Sequence, residues 1–261
     1  MKFMIDATAY SIKKTIMNHL STRITLGLAL AALFAYGQLQ TIHAQDKPSF
    51  EFMHMELKVT PQNEASLVSF LEESSMSLPG QVKVTLGEKV FSPTSATHEL
   101  VFSSQDGDIL ADLMSGENQP ARTKFMHALK GLVEIQKTVR GVRLFHFGGN
   151  SSSPDTKQST SYYGYWSVQS RDHEKTSQMF LTFAKDFADL RKANAVGLGQ
   201  HVAGASSMTH YYLHTFNSYR DYVDTYNAYM SSEAFQKHSQ LKQSFETPVE
   251  NGLIRILRQW N

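Results

Sequence analysis

Between residues 50 and 60 apolar and polar side chains alternate. Met53, Met55, Leu57 and Val59 fall on one side, and His54 and Glu56 on the other, which is the period of a half-buried strand. Residues 161–170 repeat the pattern, with Tyr162, Gly164, Trp166 and Val168 on one face and Tyr163 and Tyr165 on the other. In each case the period then lengthens. Leu67, Phe70, Leu71 and Ser74, and later Phe180, Phe183, Ala184 and Phe187, have the i, i+3, i+4, i+7 spacing of a helix with one buried stripe. Pro61 suits the first turn of the earlier helix, and Pro79-Gly80 closes it.

Two more strands follow in each half. Val82, Val84 and Leu86 match Val196 and Leu198, and residues 95–101 line up with 207–213 through a shared Thr-His step, Thr97-His98 and Thr209-His210. A second helical region comes next. A last strand then begins at a glycine, Gly141 or Gly252. Each half reads β-α-β-β-α-β, the order of the ferredoxin-like split βαβ motif. Between the halves, residues 148–161 carry no large apolar side chain and have the composition of a linker. The expected fold class is α+β: a first repeat at 47–148, a linker at 149–160 and a second repeat at 161–261.

Ahead of the repeats lies an uncharged apolar run at residues 24–36. A membrane span needs about 20 apolar residues, so this run is short for one. With Lys13, Lys14 and Arg23 before it and Ala44 after it, residues 1–44 read as a cleavable signal peptide, with Met17 as an alternative start. Its removal takes the formal charge from +1 to slightly negative. With no basic cluster, nucleic acid is not an expected partner. The chain has no cysteine, which excludes disulfides, thiol nucleophiles and a lipid-modified cysteine. A periplasmic or secreted protein without a membrane span is expected, either a monomer or a homodimer.

The second half carries a further phrase. Residues 210–216 lead into Ser218-Tyr219-Arg220-Asp221-Tyr222, then Tyr229-Met230-Ser231-Ser232-Glu233-Ala234. This succession resembles the dimeric α+β barrel superfamily, in particular its antibiotic-biosynthesis monooxygenase type. Ala234 stands where that family often has histidine, and His238 comes later. The resemblance implies two ferredoxin-like sheets packed as a barrel, here within one chain, with their bare apolar faces buried against each other. It also implies pockets between sheet and helices or inside the barrel, and cofactor-free or haem-using oxygenase chemistry. The family's Asn-Trp-His and Asn-Trp-Arg catalytic sets have no match in this sequence.

The ligand-binding candidates are His54, Glu56, Tyr163, Tyr165, Trp166, His201, His210, Tyr212 and His214. His54 and Glu56 share a strand face, as do Tyr163 and Tyr165, so either pair could serve as acid–base groups or as polar contacts between sheets. His210 and His214 have the spacing of a helical metal pair, but four residues of strand span roughly 13 Å. Zinc bonds are about 2 Å long, so no shared metal is expected. Met53-His54-Met55 suggests soft metal ligands, yet a strand turns His54 away from both methionines. Tyr219, Tyr222 and Tyr226 have helical spacing and are expected in the core. There is no Gly-x-Ser-x-Gly elbow, phosphate loop or dinucleotide fingerprint. The functional expectation is an exported small-molecule-binding protein without an identifiable catalytic motif. The alternative is an oxygenase-like enzyme acting on a small aromatic or apolar substrate. No cofactor is required, and haem on His201, His210 or His214 is left open.

Overall fold

A computed structural model describes residues 50–114, 119–148, 162–191 and 194–260. The export segment, the linker at 149–160 and residues 115–118 lie outside the described residues. The first repeat runs β1 (Glu51–Lys58), a 3₁₀ turn at Pro61–Asn63, α1 (Glu64–Ser75), β2 (Val82–Phe91), β3 (His98–Ser104), α2 (Gly107–Met114), α3 (Gln119–Leu132) and β4 (Glu134–Phe147). The second runs β5 (Tyr162–Ser170), α4 (His173–Asp186), α5 (Ala188–Arg191), β6 (Val196–Ala203), β7 (His210–Phe216), α6 (Tyr219–Ser231), α7 (Glu233–Gln243) and β8 (Glu246–Trp260). Each half has the expected β-α-β-β-α-β order, and in the second half the second helical region is broken in two. In the second half Ser232 makes the break: it ends α6, and its hydroxyl caps α7 by accepting from the Phe235 amide at 3.3 Å.

The eight strands form one closed antiparallel barrel in the order β1-β3-β2-β8-β5-β7-β6-β4. Within it each half keeps the ferredoxin-like strand order. The halves are joined by strand pairing, β2 with β8 and β4 with β6, so every sheet edge is used. The Thr-His step does the same structural work in both halves. Thr97 N–H donates to Leu57 O and Thr209 N–H to Val168 O, each at 2.9 Å. The two threonine hydroxyls accept from Val59 N–H and Ser170 N–H at 2.9 and 2.8 Å.

The alternating strands sort into two faces. Outward, Met53, Met55, Leu57, Val84, Leu86 and Leu100 pack against Leu67 and Leu71 of α1 and Leu129 of α3. The methionines are thus core, as their stripe predicts. Inward, the outcome differs from the expected apolar seam. The lumen is lined by His54, Glu99, Lys137, Tyr163, Tyr165, His201 and Glu250 among aromatic and aliphatic side chains. The sheets meet by closing their edges, and apolar contacts such as Phe52 with Tyr211 and Val139 with Met208 accompany that strand pairing across the halves.

Two further expectations are corrected. The last strands start before their glycines, at Glu134 and Glu246, and the glycines are not equivalent. The Glu56↔Lys137 and Ser167↔Glu250 pairings make Val139 the counterpart of Gly252. Each glycine instead admits a lumen ring: a Cβ on Gly141 would overlap Phe52, and one on Gly252 would overlap Tyr165. Second, Tyr219 and Tyr226 are not core; they are 51% and 44% exposed. They lie along the open side of α6, stacked about Tyr222, because Thr225 and Tyr229 form the buried stripe of that helix.

Gly199 similarly leaves room for Tyr211, whose ring a Cβ would overlap. Gly199→Ala is expected to cost about 1–3 kcal/mol, the usual cost of overpacking. Gly131→Ala, in α3 with nothing near the added methyl, is expected to gain about 0.5–1 kcal/mol. Denaturant unfolding of the two variants checks the contrast.

Candidate functional site

The sequence candidates divide between the two faces of the sheet. His54, Glu56, Tyr163, Tyr165 and His201 belong to the lumen, whereas Trp166, Tyr212 and His214 line a cavity between the second sheet and its helices. His210 lies on the same outward face but is not part of that cavity wall.

The lumen is an ion-paired core around a cavity of about 60 Å³. Glu56 and Lys89 are both 1% exposed in their side chains and pair at 2.9 Å. Thr94 also donates to Glu56 at 2.9 Å, and Lys137 lies 3.6 Å from its other oxygen. Lys137 donates to Glu250 at 2.9 Å. Glu99 accepts from the Tyr163 hydroxyl and lies 3.1 Å from His54 Nε2. Burial alone would raise the Glu99 carboxyl, but the His54 charge and the hydrogen bonds from His54 and Tyr163 hold it below its ordinary value. Burial, with help from Glu99, pushes the Tyr163 hydroxyl far up. Glu99 and Lys89 were missed in the sequence because the signal that places them inward is strand register, which short apolar-rich segments do not reveal.

The cavity of the second half has a volume of about 320 Å³. Its walls are mostly apolar and aromatic: Trp166 from β5, Phe180 and Phe183 from α4, Tyr222 and Tyr229 from α6, and Phe235 from α7. Local sequence sets these walls. Asp172 and Ser218 cap α4 and α6 by accepting from Lys175 N–H and Asp221 N–H at 2.9 and 3.0 Å, which fixes where each aromatic stripe begins. Its polar groups include His214, His238, Tyr212, Lys242 and Glu246. Glu246 is fully engaged: it accepts from Tyr212 and, at 2.9 Å, from Thr176, and pairs with Lys242 at 3.2 Å. The Lys242 ammonium also lies 3.5 Å from the centre of the Tyr212 ring. His214 Nε2 and the Tyr229 hydroxyl, by contrast, are buried without a hydrogen-bond partner. Burial pushes His214 down to about 3 and His238 down to about 4, the latter aided by the Lys242 charge. Both imidazoles are therefore neutral at pH 7.

A cavity of about 600 Å³ in the first half is lined by Met53, Met55, Phe70, Phe102 and Phe125 together with Arg122 and Lys124; among the described residues its wall has no histidine, tyrosine or carboxylate.

The histidines do not fit haem. His201 sits in a lumen too small for a macrocycle. The ring nitrogens of His210 face His173 and Thr209. Of the three, only His214 faces the second-half cavity, whose volume of about 320 Å³ is at the lower end of the roughly 300–1,000 Å³ typical of ligand pockets and suits a few fused rings better than a tetrapyrrole. Nor do His210 and His214 join: one partners His173, the other lines the cavity. Among the described residues no group of three or more His, Asp or Glu side chains is arranged to hold a metal ion.

The architecture defines a class: a tandem α+β barrel with a sheet–helix cavity in its second half. It has the fold of the dimeric α+β barrel superfamily, as the sequence resemblance implied. Among solved structures it is similar to an anthrone oxidase-like protein, with 11% identity, a TM-score of 0.58, and coverage of 82% of this chain and 94% of the other. It is also similar to a protein provisionally described as a monooxygenase from Fusobacterium nucleatum subsp. nucleatum, with 10% identity, a TM-score of 0.56 and coverage of 82% and 94%. A variant of the chlorite dismutase from Candidatus Nitrospira defluvii matches with 10% identity, a TM-score of 0.51 and coverage of 85% and 95%. At these identities the likeness is one of fold. No protein-family model matches the chain, and no curated protein matches it in sequence.

The buried histidines make stability depend on pH. A histidine whose folded pKa is depressed leaves the unfolded chain holding more protons, so stability is fully present above about 6.5 and is lost as pH falls toward the folded value. Unfolding free energy is expected to fall by about 1.4 kcal/mol per pH unit for each such group, from pH 6.5 to about 3 for His214 and to about 4 for His238. His214→Phe is expected to flatten that slope in urea titrations at pH 7, 5.5 and 4.5.

Proposed function

We propose that this is an exported protein that binds a small, flat, largely apolar molecule in the second-half cavity. The observation that carries the reading is the pair of buried, unpartnered polar atoms, His214 Nε2 and Tyr229 Oη, on the wall of an otherwise aromatic cavity. An unsatisfied buried polar atom costs about 1–3 kcal/mol. A ligand with a hydrogen-bonding group removes that cost, and the aromatic walls supply area for its rings. Export rests on the apolar run at residues 24–36, its basic approach and Ala44.

The second reading is an oxygenase-like enzyme working on the same kind of molecule. What favours it is the pair of neutral imidazoles in the cavity wall, His214 and His238, placed to accept a hydrogen bond from a bound phenol. The names of two similar structures, an anthrone oxidase-like protein and a provisionally described monooxygenase, point the same way by analogy of fold.

Tyr229→Phe separates a binding role from a structural one. Removing the hydroxyl is expected to leave the protein as stable or up to about 1 kcal/mol more stable, while weakening binding of a planar probe such as 2-naphthol severalfold. Quenching of Trp166 fluorescence in a Trp260→Phe background reads the binding. Unchanged affinity together with lowered stability would sink the reading. Oxygen uptake on addition of the probe would favour the enzyme. For export, N-terminal sequencing of protein recovered outside the cytoplasm is expected to begin at Gln45.

A further inference from the structure

His210 is almost wholly buried, and on the outside of the barrel its ring meets that of His173, the exposed first residue of α4. Nδ1 of His173 and Nε2 of His210 are 3.4 Å apart. That is long for a hydrogen bond, N–H···O contacts ordinarily having heavy atoms about 2.9–3.0 Å apart and N–H···N contacts only slightly more. It is close to the separation of two imidazole nitrogens sharing one tetrahedral zinc ion, where bonds of ~2.0–2.1 Å put the nitrogens ~3.3–3.4 Å apart. The ring centres are 4.9 Å apart, farther than the nitrogens, so both nitrogens lie on the facing sides of their rings. The planes meet at 43°.

The surroundings prepare His210 as a ligand. Thr209 Oγ1 donates to the Val168 carbonyl at 3.3 Å and accepts from Ser170 N–H at 2.8 Å. His210 Nδ1 lies 3.0 Å from the same hydroxyl oxygen. With the hydroxyl hydrogen directed at Val168, Nδ1 is the protonated nitrogen and Nε2 presents its lone pair toward His173. A hydrogen bond on the far nitrogen that fixes ring and tautomer is the usual support of a metal-binding histidine. Asp172 and Glu174 flank His173 and offset the positive end of α4, which would otherwise repel a cation.

We infer that His173 and His210 form a two-histidine site for a zinc-like divalent transition-metal ion, open to solvent on the His173 side. Water completes the coordination, so affinity is in the micromolar range. The site lies outside the aromatic cavity and does not depend on what that cavity binds. The duplicated half lacks it: His98 keeps the threonine contact at 2.9 Å, but its Nε2 has no partner, and acidic Glu64 lies near it.

Calorimetric titration of the full, untagged chain with zinc chloride tests the site. One zinc ion per chain is expected, with affinity reduced at least tenfold in His173→Ala, whose exposed position leaves the fold intact by circular dichroism. A nitrogen-15 spectrum of the imidazoles supplies a readout that needs no variant: before zinc, His210 is protonated on Nδ1, and zinc shifts His173 Nδ1 and His210 Nε2 together. No zinc binding, equal affinity in the variant, or imidazole signals that do not move would each overturn the inference.

Discussion

The buried Glu56–Lys89 pair, beside the β2–β3 loop, constrains the strands around it. Two opposite charges, each almost fully removed from water, are held 2.9 Å apart. Losing one partner from such a pair typically costs about 3–5 kcal/mol, because the other is left buried alone. The pair forms only if β2 lies beside β3 and β3 beside β1 in one register. A slip of one residue would turn Glu56 toward the apolar helices and Leu57 into the lumen. Charge burial therefore specifies the register, and the register aims the outward faces at α1, α3, α4 and α6.

The two faces of the sheet differ in how much space they leave. The lumen is crowded with ion pairs and rings and has little free volume, and the Tyr165 hydroxyl and both His201 ring nitrogens are buried there without partners. The space between sheet and helices in the second half retains volume, neutral imidazoles and polar atoms without partners. The two lie back to back on the same strands. In β5, Tyr163 and Tyr165 face the lumen while Trp166 faces the cavity; in β7, Tyr211 and Leu213 face inward while Tyr212 and His214 face outward. A strand pinned by charge on one side gives fixed positions to side chains on the other.

Much of this was legible in the sequence. The period-2 runs at β1 and β5, the helical stripes of α1 and α4 and the Thr-His repeat led to the element order, because each is a local pattern. The sequence also brought forward His54, Glu56, Tyr163 and His214 as chemically notable residues. It did not reveal that the first three and the last lie on opposite sides of one sheet. Alternation within a strand tells which residues share a face but not which face is inside a closed barrel. The same gap hid Glu99 and Lys89, which gain meaning only from their neighbours across strands. Tyr219 and Tyr226 misled because an aromatic helical stripe looks the same whether it meets a core or borders a cavity mouth.

Lys137 and Glu250 occupy equivalent positions in the two halves, one opposite Glu56 in β1 and the other opposite Ser167 in β5, and they bond to each other. They therefore lie on the pseudo-twofold axis relating the halves. In a symmetric dimer a residue on the axis meets its own copy. A dimer of first halves would set lysine against lysine at this point, and a dimer of second halves glutamate against glutamate. A tandem chain can place opposite charges at the one duplicated position, so the partly buried Lys137–Glu250 pair favours joining one half to the other over joining either half to its own copy.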